Sequence, residues 1–193
     1  MCQAHGEKMS QLITLKNGSR CRLLKAKFSN AAHDDVAAIR DLFSLINRDE
    51  RRRTGNANLG TPWHQRTVSY IEKENNGSSR HLVMLAKQLN GNPIGFMRML
   101  SYLKEDGAHL ELLGIHPEHQ GNGLGSALLK AAEDFSSVNE KTFIKLRVSQ
   151  SGAVEFYNRH GYINYDTSST QSGPDIAHMY KPLSPGTNPS NMS

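Results

Sequence analysis

Three residues after a proline, the chain reads Gln120, Gly121, Asn122, Gly123, Leu124, Gly125, Ser126, and an apolar helix pattern starts at once. Glycine is a poor choice for starting a helix firmly, because it loses the most backbone freedom on ordering. It is a good choice if the backbone itself must touch something. A helix start carries N–H groups without intrahelical partners and the positive end of the helix dipole, a combination that binds phosphate. Without Cβ atoms in the way, a bulky anion can approach those amides. Two familiar phosphate motifs fail here. A Walker loop needs a lysine after its last glycine, and Gly125 is followed by Ser126; a dinucleotide fingerprint needs a third glycine where Ser126 stands.

The elements needed to present such a loop are legible on both sides of it. Upstream, 108–115 (AHLELLGI) is a strand whose simple alternation puts His109, Glu111, Leu113 and Ile115 on one face and Ala108, Leu110, Leu112 and Gly114 on the other. Downstream, Leu124, Leu128, Ala131, Ala132 and Phe135 recur at helical spacing. The strand 142–149 (TFIKLRVS), a helix through 153–160 and strands around 162–166 and 176–182 follow. Earlier, Asn17 and Gly18 predict a hairpin turn, and 81–103 predicts an antiparallel pair around Gln88–Asn92. Val36, Ile39, Phe43 and Ile46 predict a helix over 31–46, and Thr61 with Pro62 the cap and first turn of another reaching Asn75. Between them, 47–60 reads as a basic and then loop-like stretch containing Arg51, Arg52 and Arg53.

Three pieces in register resemble the GCN5-related N-acetyltransferase (GNAT) superfamily. Gln120, Gly123 and Gly125 meet its Q/R-x-x-G-x-G/A signature, 110–119 resembles its fourth strand and proline-containing exit, and 151–162 resembles its A-x-x-x-Y-x-x-x-G-F segment. The resemblance implies an α/β (α+β) fold: a mixed, mostly antiparallel sheet of six to seven strands, splayed between the fourth and fifth, flanked by about four helices. It implies acetyl-CoA as co-substrate. The backbone of Leu113, Gly114 and Ile115 would bond the pantetheine arm as an added strand, the amides from Gly121 through Asn122, Gly123, Leu124 and Gly125 to Ser126 would cradle the diphosphate, and Gln150 stands where the family often has an asparagine cofactor contact. For the chemistry, the resemblance gives Glu111 as first candidate for the base, His109, two residues earlier, as second, and Tyr157 as the acid that protonates the thiolate. An alkyl ammonium is almost wholly protonated at neutral pH, so a base or a dehydrating pocket is needed.

Composition bounds the rest. The 193 residues, 37% hydrophobic and 21% charged, suit one domain, read as a core over 12–183 with an N-terminal extension over 1–11 and a disordered tail over 184–193. No stretch approaches the run of apolar residues that a membrane span requires. Two cysteines, Cys2 and Cys21, supply no disulfide framework, and the amino terminus lacks the apolar centre of a secretory signal, so a reducing, cytoplasmic setting is expected. A net charge of +5 favours an anionic partner. Nucleic acid is not expected beyond an aminoacyl-tRNA acceptor, since no aromatics interleave with the basic residues. His116 and His119 flank a proline without a ligand set at metal-binding intervals, so no metal is expected. The resemblance, within these bounds, implies direct acetyl transfer from acetyl-CoA to a primary amine on a small molecule, peptide or protein, with a non-catalytic acyl-CoA sensor as the alternative. Monomer and homodimer both stay open.

Overall fold

In the computed structural model, residues 10–26, 33–55, 81–101, 105–149, 153–169 and 175–184 are described. The expected helix at 61–75, Gln150, most of the N-terminal extension and the tail beyond Ser184 lie outside them. The hairpin at Asn17 and Gly18 forms: β1 (Ser10–Thr14) pairs antiparallel with β2 (Arg20–Lys25). Gly18 sits at φ 81°, a region open to glycine, and the Asn17 side chain accepts from the Ser19 amide at 3.1 Å. β1 thus draws Ser10 and Gln11, placed by sequence in the extension, into the sheet.

Helix α1 (His33–Thr54) runs eight residues past its expected end. The polarity of 47–54 reads as loop, yet its arginines and Glu50 are sound helix formers, and Arg53 reaches back one turn to Asp49 at 3.3 Å. The arginines at 51–53 fall in the last turn, where the helix dipole favours positive charge. The chain continues through β3 (His81–Gln88), β4 (Pro93–Ser101), β5 (Gly107–Ile115), α2 (Leu124–Val138), β6 (Phe143–Ser149), α3 (Val154–Arg159), β7 (Ile163–Ser168) and β8 (Ile176–Pro182).

The eight strands among the described residues form one sheet in the order β1-β2-β3-β4-β5-β6-β8-β7. The N-terminal hairpin takes the count above the six or seven expected, so the family's fourth and fifth strands are β5 and β6 here. Among these described strands only β5 and β6 run parallel; every other neighbouring pair is antiparallel. Three α-helices are present among the described residues. The central strands are apolar almost throughout because helices cover both faces. On one face Leu124, Leu128 and Ala132 of α2 pack with Met97, Met99 and Leu110; on the other Ile39 and Leu42 of α1 pack with Leu85 and Phe96.

One local irregularity corrects the sequence reading and shapes the site. Leu110 pairs with Met99 and Leu112 with Arg98, which leaves Glu111 as an extra residue outside the backbone register with β4. Such a bulge bends the strand and increases its twist. It also resets the alternation. Leu113 and Ile115 join the α2-side cluster with Ala108 and Leu110, while Leu112 joins the α1 side. His109, Glu111, Leu113 and Ile115 therefore do not share one face.

Candidate active site

The parallel pairing of β5 with β6 covers only Gly107–Leu110 against Phe143–Leu146. Beyond that β6 stays with β8 as far as Ser149, and β5 stays with β4 as far as Ile115. The two strands part just where the bulge bends β5, so among the described residues the edge of β5 from Glu111 to Ile115 has no neighbouring strand on the β6 side. Two clefts open at this parting.

The first cleft, of about 790 Å³, is lined by Leu113, Gly114 and Ile115, by the glycine loop and by Phe156, Tyr157 and His160 of the α3 segment. Gly114 is dictated by packing: a Cβ there would stand 2.6 Å from Phe96 and 2.9 Å from Ile46. Gly123 caps α2 at φ 86° with no side-chain cap. The first bond of this helix is from the Ala127 amide to the Gly123 carbonyl at 3.1 Å. None of the amides from Gly121 to Ser126 donates to any acceptor of the protein among the described residues. Six consecutive donors at a helix start, beside an open strand edge, form a site for an extended molecule with an anionic group. The side chains around the loop donate to main-chain carbonyls: Gln120 to the Ile115 carbonyl at 3.2 Å, and Asn122 to the Gln120 carbonyl at 3.3 Å.

Tyr157 is buried against Phe156 and Tyr162, with ring centroids 5.1 and 5.6 Å away. Burial pushes its phenol well above the ordinary value. It stays protonated across the neutral range and is a donor rather than a base. Its helix is tied to the start of α2 by His160. That ring lies 2.8 Å from the Phe156 carbonyl through Nδ1, which donates there, so Nε2 accepts from the Ser126 hydroxyl at 2.8 Å.

The second cleft, of about 700 Å³, gathers His109, Glu111, Lys145, Arg147, Tyr165 and His178. Glu111 is ion-paired to Arg98, a guanidinium almost wholly buried in β4. His109 Nε2 lies 2.7 Å from the Glu105 carboxylate, and Lys145 stands 3.4 Å from the same group. Burial pulls the His109 imidazole below its ordinary value of 6.5, opposed by the Glu105 hydrogen bond. That bond in turn holds the Glu105 carboxyl below its usual range. The uncharged ring that donates Nε2–H to Glu105 keeps its acceptor lone pair on Nδ1.

The structure thus brings Leu113 to Ile115, Gln120, Gly121, Gly123, Gly125, Ser126 and Tyr157 to one cleft, and His109 and Glu111 to the other. Sequence reasoning missed Arg98, Glu105, Arg147 and His178. Arg98 carried a signal: a charge in the middle of the apolar run 94–100 demands a buried partner. Among the described residues no group of His, Cys, Asp and Glu could hold a metal, and no helix is long and apolar enough to cross a membrane.

A splayed mixed sheet with a glycine-rich helix start at the parting defines the GNAT class of acyltransferase folds. The acetyltransferase (GNAT) family model matches residues 39–162, well over half of the sequence, and the chain belongs to that family. It is 28% identical over 82 residues to an uncharacterised N-acetyltransferase of Methanocaldococcus jannaschii, a stretch covering 39% of this chain and 36% of that protein, so it spans only about a third of this curated relative's length. Among solved structures it is similar in fold to the ribosomal-protein-S18-alanine N-acetyltransferase of Escherichia coli (TM-score 0.63, 20% identity, 88% of this chain and 97% of that one). It also resembles the PaiA N-acetyltransferase of Thermoplasma acidophilum in complex with coenzyme A (TM-score 0.66, 17% identity, 84% and 98%).

Proposed function

We propose that the protein is an acetyl-CoA-dependent N-acetyltransferase that moves the acetyl group directly to a primary amine in a ternary complex. The observation that carries this reading is the run of six undonated amides, Gly121 to Ser126, continuous with the unpaired edge of β5. The amides hold the diphosphate, and the Leu113–Ile115 backbone holds the pantetheine arm as an added strand. Bound acetyl-CoA supplies an activated acetyl thioester. The acceptor amine enters from the second cleft.

The geometry reorders the two base candidates. Arg98 engages the Glu111 carboxylate, whereas burial keeps His109 uncharged and Glu105 orients it. His109 Nδ1 takes the proton from the amine, directly or through a water, and Glu111 keeps Arg98 neutralised at the bend of β5. Tyr157 donates its phenolic proton to the departing sulfur, and its raised pKa ensures that the proton is there to give.

The test is release of free thiol from acetyl-CoA in the presence of small amines, peptides, protein lysines or aminoacyl-tRNA, one class at a time. Release that depends on one acceptor class supports the reading. A chain that binds CoA yet releases thiol no faster with any acceptor than without overturns it in favour of a non-catalytic acyl-CoA-binding module.

A further inference from the structure

The turn joining β1 to β2 lies outside the residues matched by the family model, yet it reaches the glycine loop. The Lys16 amide donates to the Asn122 carbonyl at 3.0 Å. The turn is braced by bonds from the Leu15 amide to the Ser19 carbonyl at 2.8 Å and from the Gly18 amide to the Leu15 carbonyl at 2.9 Å. In a trans peptide C=O and N–H point in opposite directions, so this bond turns the Gly123 N–H away from the Lys16 backbone and fixes the plane of one cradle amide. The Lys16 stem then runs over Gly123: its Cγ, Cε and Cδ lie 3.6, 3.8 and 4.0 Å from where a Cβ on that glycine would stand.

Three cations line the first cleft, and their pairing separates them. Arg53 is held by Asp49 at 3.3 Å and Arg159 by Glu155 at 3.1 Å. Lys16 has no carboxylate partner among the described residues. An ammonium on a pinned turn, unpaired and beside six undonated amides, is a countercharge waiting for an anion in the middle of the cradle.

We infer that Lys16 is a cofactor-binding residue whose ammonium neutralises the diphosphate of CoA, so that the N-terminal hairpin is part of the cofactor site. The assignment rests on the cradle reading above and adds to it a residue from outside the matched region. The Lys16 backbone bond survives any side-chain change, so Lys16→Gln removes the charge alone.

The experiment is equilibrium binding of CoA, 3′-dephospho-CoA and S-acetylpantetheine to the wild type, Lys16→Gln and Lys16→Arg. Lys16→Gln is expected to weaken CoA and 3′-dephospho-CoA equally, by about tenfold, and to flatten the loss of affinity with added salt. S-acetylpantetheine, which lacks the diphosphate, binds both proteins alike, and Lys16→Arg stays close to the wild type. Unchanged CoA affinity in Lys16→Gln, with the wild type binding normally, overturns the Lys16 assignment alone. Equal weakening of S-acetylpantetheine overturns it as a structural effect, and weakening of CoA without 3′-dephospho-CoA moves the contact to the 3′-phosphate and overturns it too. A wild type that binds no CoA overturns both the assignment and the cradle beneath it.

Discussion

The two clefts at the parting of β5 and β6 are built on opposite principles. The first is made of main chain, with amides from one continuous stretch and an unpaired strand edge that touches it. The second is made of side chains, with His109, Lys145, Tyr165 and His178 arriving from four different strands. A backbone site tolerates sequence change as long as its glycines remain, whereas a side-chain site is redefined by each substitution. Under the proposed function, one chain can therefore keep its acyl donor fixed and leave its acceptor open to change, a division of labour that fold alone does not reveal.

The contrast can be broken most severely at Gly125. Gly125→Asp places a carboxylate among the amides meant for phosphate, and a like charge at close range in a partly screened site is worth several kcal/mol. CoA affinity should fall about a thousandfold in titration calorimetry. Thermal stability should fall only slightly, because a Cβ here would stand 3.3 Å from the Phe156 ring, which must give by a few tenths of an ångström, while an acidic residue in the first turn of a helix is favourable. Loss of folding instead would mean that the loop serves structure first.

Tyr157→Phe sharpens the contrast from the chemical side. Removing a general acid should lower kcat by about a hundred- to thousandfold while CoA binding stays within about threefold. The phenol also links to stability. Its folded pKa lies above its unfolded one, so the unfolded chain loses the proton first and the wild type loses stability as pH rises above about 10. Tyr157→Phe should remove that part of the alkaline loss in chemical denaturation curves.

His109→Gln should cost about a hundredfold in kcat/KM near neutral pH. The wild-type profile should fall on the acid side at a pH below 6.5, since burial depresses the imidazole, and the variant should lack that limb. The same sign holds for stability. Below 6.5 the unfolded chain takes up a proton before the folded one, so stability present above 6.5 is lost as pH falls, and His109→Gln flattens this loss. Smallest is Glu111→Gln, which weakens the neutralisation of buried Arg98 and should cost about 1–3 kcal/mol of stability by urea unfolding. A Glu111→Gln protein that keeps its stability but loses the acid limb would return the base role to Glu111.

What the sequence disclosed follows the same division. The glycine loop, α2 and the hairpin at Asn17 and Gly18 depend on neighbours in the chain, and residue type with spacing sufficed to place them. The bulge at Glu111 did not announce itself, because it arises from pairing with β4, and alternation read along one strand assigned Leu113 and Ile115 to the wrong face. The extension of α1 through Arg53 was hidden by polarity, which marks solvent rather than loop. The second cleft stayed invisible beyond His109 and Glu111, since Arg147 and His178 meet only through the β6–β8 register. Lys16 belongs with these, as its contact with Asn122 joins segments more than a hundred positions apart.

The central claim is that free main-chain N–H groups bind the diphosphate, and amide resonances read it directly. On titration with CoA, the amide signals of Gly121 to Ser126 should move downfield with saturation, and their movement should shrink with S-acetylpantetheine, which lacks the diphosphate. If CoA binds while those six signals stay where they were, the cradle is elsewhere and the account fails.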